Sequence, residues 1–419
     1  MHSQKLLTKI NAIEEFQRKN AAAFTNFFNA LMLPVGIGFV YSFILAAGRC
    51  LRDNDFVIYT LAAQAIRNGE DPYTVFLPQV YPDGLAVNWG YIYPPFIATL
   101  LSLFLILGTA GAKIMWAVLT TAGIVTAAFT LRRLRMVESL GVGWIVIAFS
   151  LWPVAIDEFE QGQVDGMVLG LLATFLLAMH HKYPKVAGLA LALAVHVKVT
   201  PIIFAVLLLD RQYVRVRIPF IVSLAAVAAC VALAGGIAPW LYFILSASET
   251  ASGGAEWLSP ANQAISKSLF LLCPALGMRA ALWVQHALVA WGALVVAREC
   301  LADGRQCLDR NFCRLTVLMF IASPIVWFHH ALWLVFAIVW CWNHNTSIRS
   351  RTLITVLVVT ISLVRYIGPA LCGRDMSELD MFEPLQFLLG AVSLWFLLGR
   401  GVSPVQRRVM QRPDTAVAA

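Results

Sequence analysis

Long uncharged apolar runs recur along this chain, from its first fifty residues to past residue 350; Ala30–Ala47, Ile114–Leu131, Ile218–Leu233 and Thr352–Val364 are examples. A helix needs about 20 predominantly apolar residues to cross bilayer hydrocarbon. Only helices and closed barrels satisfy their own backbone groups there. Barrel strands would be short and alternating, which these runs are not. The 419 residues are 60% hydrophobic and 13% charged, against about 25% charged in soluble domains. The expected fold is an all-α polytopic integral membrane protein with about 11–13 helices in lipid. Residues 1–419 are read as a single multi-pass domain, because no polar stretch is long enough to fold alone.

The net charge of +8 is no nucleic-acid signal. The basic residues sit in short connectors, where the positive-inside rule accounts for them; the expected surroundings are membrane lipids, with no nucleic-acid partner. Met1–Asn20 carries Lys5, Lys9, Arg18 and Lys19 without a cleavable signal pattern, so the amino terminus is expected in the cytoplasm. Arg132–Arg135, His181–Lys185, Arg211–Arg217, Arg298–Arg314 and Asn343–Arg351 mark the cytoplasmic side. Arg52–Tyr93, Asp157–Asp165, Tyr242–Gln263, Ser323–His330 and Gly373–Glu383 are acidic or neutral and face outward. This alternation fails around Pro95–Leu131 and again between Gln263 and Arg298, where half-spans buried against protein are expected. The eight cysteines form no CxxC pair, so neither a disulfide framework nor a cysteine metal site is read.

The first outward loop, residues 52–93, carries Asp53, Asp55, Glu70, Asp71 and Asp83 against Arg52 and Arg67. Phe56, Tyr59, Ala62, Ala63 and Ile66 recur at helical spacing, which predicts a helix over Asp55–Asn68 stopped by Gly69. Asp55 at its start either caps orphan amides or serves as a general base, and Asp53 is its rival. Asp71-Pro72-Tyr73 reads as a capped turn, and Tyr93-Pro94-Pro95 as the entry to the membrane. Tyr73 and Tyr93 are headgroup-belt residues or substrate contacts. Gln163 and Asp165 form a polar turn, or recognise sugar hydroxyls, since amides both donate and accept. Tyr242–Trp257, mixed and glycine-containing, reads as a mobile loop. Lys198 ends an apolar helix, where it either holds a lipid phosphate or snorkels to the interface. Trp327, His329 and His330 lie between two apolar runs. They form an interfacial belt, or the histidines donate to phosphate or sugar. A zinc site is not read, because no matched acid or third ligand stands at helical spacing.

Taken in order, these motifs resemble glycosyltransferase family 87 of the GT-C superfamily, the group that includes polyprenol-phosphate-mannose-dependent α-1,2-mannosyltransferases. The matching positions are Asp55 and Tyr59; Gly69, Asp71, Pro72 and Tyr73; Tyr93, Pro94 and Pro95; Gly162 and Gln163; Lys198 and Pro201; Asn262 and Gln263; and Ser323, Pro324, Trp327, His329 and His330. Asp165, Ala264 and Val326 depart from the family pattern, which has Asn, Ser and Ser there. The resemblance implies a GT-C-type bundle with outward-facing juxtamembrane helices in a bacterial plasma membrane. It implies an inverting hexosyltransferase that moves mannose, or another hexose, from a polyprenyl-phosphate donor to a glycolipid or glycan hydroxyl on the outer face. Asp55 would be the general base, and Lys198, His329 and His330 would hold the donor phosphate. Tyr59, Tyr73, Tyr93, Gln163, Asp165, Asn262, Gln263 and Trp327 would contact substrate. No cofactor and no divalent metal are assigned, because a monophosphate donor can be served by protein cations. The competing readings are a transporter or flippase for lipid-linked sugars, and a related enzyme with a protein acceptor. Clustering of the polar candidates at one face favours an interfacial enzyme over a transporter, whose sites lie near the midplane.

Overall fold

The computed structural model describes residues 55–80, 86–134, 136, 154–251, 262, 264–302, 308–344, 350, 352–354, 356–357 and 376–399. The amino-terminal segment with Asp53 and the Ala30–Ala47 run, Gln263, and the basic tail lie outside the described residues.

The described residues are helical almost throughout. Helix α1 spans Asp55–Asn68, as the periodicity predicts, and buries Phe56, Ile58, Tyr59, Ala62, Ala63, Ala65 and Ile66. Gly69, at φ +73°, ends it, a backbone conformation that costs L-residues about 1–2 kcal/mol. Asp71 caps the next turn by accepting from the Tyr73 amide at 2.8 Å. An antiparallel hairpin follows, β1 Phe76–Val80 paired with β2 Ala86–Gly90. The chain then enters helix α2 (Pro95–Phe104), with Pro95 in its first turn. The Tyr91 hydroxyl secures that entry by donating to Pro94 O at 2.7 Å and accepting from Ala98 N at 3.1 Å.

Among the described residues, three helical stretches are long and apolar enough to cross a bilayer: Pro95–Arg133, Arg211–Gly235 and Met278–Leu301. The first is broken at Gly108, φ +74°, into α2 and α3 (Gly108–Arg133). Helix α2 alone falls short of a span, as the failed charge alternation predicts. Helices α4 (Val154–Gln161) and α5 (Asp165–His180) pass the same test as a pair, bent by 117°. Helix α6 (Pro184–Val197) runs to Lys198, followed by a 3-10 segment over Thr200–Leu209. Helix α7 (Val214–Gly235) leaves Ile218 73% and Leu233 88% exposed. Such a face is an aggregation liability in water and the natural state in lipid. The molecule is a polytopic all-α membrane protein.

Of the expected loop Tyr242–Trp257, the part up to Ala251 is helical and the rest lies outside the described residues. Helix α8 continues over Ala238–Ala251; the glycines of the stretch, Gly253 and Gly254, come only after that end. Helices α9 (Ile265–Leu272) and α10 (Met278–Leu301) follow. Then come α11 (Leu308–Ala322), a 3-10 turn over Phe328–Leu334, α12 (Val335–His344) and α13 (Met376–Gly399). The centre of the core holds Phe175, Phe312, Trp333 and Phe336, all essentially inaccessible; Phe204 of the 3-10 segment links Phe175 of α5 to Phe312 of α11, which meets Phe336 of α12.

The α4–α5 bend is the element that aims the site. It turns at Gly162, φ +66°, where a Cβ would approach Phe56 Cβ to 2.7 Å. Gly162 O accepts from Trp116 Nε1 at 2.8 Å, tying the bend to α3. Close packing of Gly123 on Gly166 and Gly170 brings α3 against α5. Gly162→Ala is expected to lose more than the about 1–2 kcal/mol of a left-handed residue, because the methyl also collides with α1. Thermal unfolding in detergent should shift clearly downward; a variant as stable as the parent would contradict the packing described here.

Candidate active site

The side chain of Asp55 projects from the start of α1 toward the α4–α5 bend. Gln163, fully buried, donates from its amide nitrogen to the Asp55 carboxylate. The orientation of that amide is fixed by its other end. Gln163 Oε1 accepts from the Tyr59 hydroxyl at 2.9 Å and the Tyr93 hydroxyl at 3.0 Å. Burial pushes both phenols well above their ordinary pKa, so they remain donors and leave Nε2 for Asp55. The Asp55 carboxyl itself is raised to about 6, chiefly by burial, offset in part by the neighbouring His329 and Lys198. A small cleft opens beside it, lined by Asp55, Ile58, Tyr59, Ile92, Tyr93 and Trp327 among others.

The cationic half of the site adjoins it through Tyr93, whose ring lies 5.6 Å from Lys198 Nζ. Lys198 leaves α6 in extended conformation, φ −151°; Pro201, three residues on, has no N–H to carry the α-helical ladder forward, and the chain resumes as the 3-10 segment. Its ammonium does not snorkel. It donates to Asp165 Oδ1 at 2.9 Å, lies 2.6 Å from His330 Nε2, and sits 4.6 Å from the Trp333 ring centre. On the other side of the ring the Trp327 amide donates to His330 Nδ1 at 2.8 Å, with the Trp327 carbonyl at 3.2 Å. His329 stacks on His330 with ring centres 4.8 Å apart. Its Nδ1 lies 3.0 Å from Asp157 Oδ2, and its Nε2 lies 3.6 Å from Asp165 Oδ2. Asp165 Oδ2 and His329 Nε2 are buried and make no hydrogen bond.

The sequence candidates therefore fall into three groups. Asp55, Tyr59, Tyr93, Gln163 and Trp327 border the cavity or hold the residue that does. Lys198, Asp165, His329 and His330 form the adjoining charged cluster. Tyr73 and Asn262 lie in supporting positions. The Tyr73 hydroxyl donates to Tyr93 O at 2.9 Å. Asn262 Oδ1 accepts from Ala264 N at 3.0 Å and Val326 N at 2.9 Å, which staples the 323–327 segment in place. Two carboxylates escape the sequence reading. Glu158 caps α5 by accepting from Gly166 N at 2.7 Å, and Asp157 holds His329. Their signal is an acidic pair, Asp157-Glu158, directly after the uncharged run Trp144–Ile156, where ionisable residues are functional candidates by default.

Asp165, His329 and His330 each offer one ligand atom within 4.8 Å of the others. The acid that is missing from helical spacing around the histidines is supplied by α5, from far earlier in the chain.

A polyprenol-phosphate-mannose-dependent alpha-(1-2)-phosphatidylinositol mannoside mannosyltransferase of Mycobacterium tuberculosis is 27% identical over 306 residues, covering 68% of this chain and 69% of that protein. The profile of glycosyltransferase family 87 matches residues 91–324, more than half of the chain. On that match the chain belongs to glycosyltransferase family 87.

Proposed function

We propose that this protein transfers a hexose, mannose in the first instance, from a polyprenyl-phosphate donor to a hydroxyl of a glycolipid or glycan, at the outer face of a bacterial plasma membrane. The observation that carries the reading is the Asp55 carboxylate. It is held by Gln163, opens onto an aromatic-lined cavity, and lies close enough to Lys198 and His329 to feel their charge. The similar mannosyltransferase supports mannose and a polyprenyl-phosphate donor.

In the proposed reaction Asp55 takes the proton of the acceptor hydroxyl as its oxygen bonds to the anomeric carbon. The bond from that carbon to the phosphate oxygen breaks, the configuration inverts, and the polyprenyl phosphate leaves carrying the negative charge. Tyr59, Tyr93 and Trp327 give the sugar apolar faces and hydroxyl partners. The Lys198 ammonium, with one N–H beyond those on Asp165 and His330, meets the phosphate, where fixed cations stabilise developing charge in a water-poor site. His329 and His330 complete that end.

The pH profile tests the base. Asp55 works only when ionised, and its pKa is about 6, so kcat/KM should rise with pH through an acid limb centred near 6 and level off above it. kcat/KM reports groups of the free enzyme. An acid limb near the ordinary carboxylate value, or none, would remove Asp55 from that role.

A further inference from the structure

We propose that Gln285 is a positioning residue of the site: its carboxamide, on α10, clamps the segment that carries Trp327 and leads to His329 and His330. Gln285 lies in the first half of the span Met278–Leu301. It is fully buried and stands outside the cleft lining. Its Oε1 accepts from Ser266 N at 2.8 Å, and its Nε2 donates to Ser323 O at 2.9 Å. A backbone N–H only donates and a carbonyl only accepts, so both ends of the carboxamide are fixed. Methionine at this place would fill the volume and satisfy neither group. A carboxylate would satisfy one of the two.

One end of the carboxamide replaces a missing cap. Ala264 holds the N-cap position of α9 and makes no side-chain cap. The first N–H groups of a helix have no partner within it, and Ser, Thr, Asp or Asn at the N-cap usually serves them. Here Gln285 reaches Ser266 N from the next helix instead. The other end holds backbone that no regular element satisfies. Residues 323–327 link α11 to the 3-10 turn over Phe328–Leu334. Irregular backbone at membrane depth is tolerated only where protein or a water-filled cavity meets its polar groups. Gln285 meets Ser323 O, the Ser323 hydroxyl meets Ile325 O, Asn262 meets Val326 N and His330 meets Trp327 N. Within that set Gln285 is the tie to a helix long enough to cross the membrane. Ile325 and Trp327, which line the cleft, are placed by it. That their placement serves sugar transfer rests on the function proposed above; the clamp itself does not.

The test uses full-length protein in detergent. In Gln285→Met, hydrogen–deuterium exchange over residues 323–330 should speed up about 3- to 10-fold, the worth of one buried hydrogen bond. KM for the polyprenyl-phosphate donor should rise by a similar factor. Adding Ala264→Ser returns an acceptor to Ser266 N and nothing to Ser323 O. The double variant should recover thermal stability while exchange and KM stay altered, and it carries the test if Gln285→Met alone does not fold. Exchange over 323–330 that matches the parent would overturn the clamp. A fall in kcat with KM unchanged, or a KM restored by Ala264→Ser, would overturn the positioning role, since loss of folded protein lowers the active fraction and not the affinity. Parent protein that transfers no sugar, with exchange still faster in the variant, would overturn the sugar-transfer reading and leave the clamp standing.

Discussion

Asp55→Asn is expected to reduce sugar transfer by about 10²- to 10⁴-fold, the usual contribution of a positioned general base, with donor-lipid binding retained. The substitution is nearly isosteric, so the cavity lined by Tyr59, Tyr93 and Trp327 keeps its shape. What changes is the hydrogen-bond sense. Gln163 Nε2 is a donor because both phenols occupy its carbonyl, and the introduced carboxamide can answer it only through its own carbonyl. The carboxamide nitrogen then takes the other position and cannot accept the proton of the acceptor hydroxyl. A fall in kcat with unchanged donor affinity is the signature of a lost transition-state interaction. A transporter or a scaffold on the same fold would show no such selective loss. Weaker donor binding with transfer intact at saturation would assign Asp55 to recognition and leave the base unidentified.

The second large effect concerns the buried pair of Lys198 and Asp165. Their charged atoms are 2.9 Å apart, with side chains 11% and 0% exposed. Removing one partner of such a pair typically costs about 3–5 kcal/mol, because the other charge remains buried alone. Lys198→Met should therefore lower stability sharply and, through the lost charge-assisted contact, raise the KM for the donor about 10- to 100-fold. Combining it with Asp165→Asn removes both charges and should restore most of the thermal stability in detergent. It should not restore donor affinity. That split separates a phosphate-binding lysine from a structural one: if the double variant recovered transfer together with stability, Lys198 would be holding Asp165 and nothing else.

Local chemistry is readable from the sequence. Helix α1 and its stop at Gly69, the Asp71 cap, Pro95 in the first turn of α2 and the membrane class all follow from patterns within a few residues. The hairpin is not readable, because β1 carries Pro78, and proline inside a run argues against a strand. Helix α8 escapes a sequence reading because Gly253 and Gly254, just beyond its end, make the whole stretch look like a loop. At the site, the residue types are legible and their pairings are not. Gln163 reaches Asp55 across 108 residues, and His329 meets Asp157 across 172. No spacing rule links such positions. Whether Lys198 snorkels or is buried depends on where Asp165 lies, which only the packing of α5 against α6 decides.

Incubation of membranes containing the protein with polyprenyl-monophosphate mannose, labelled in the sugar, and a native glycolipid extract is the most direct test of the account. Label should move to a glycolipid or glycan product with inverted anomeric configuration, with release of unlabelled polyprenyl phosphate, and the Asp55→Asn membranes should make almost none. Label that stays on the donor lipid, or that crosses the membrane still attached to it, would contradict sugar transfer and point to a carrier of lipid-linked sugars.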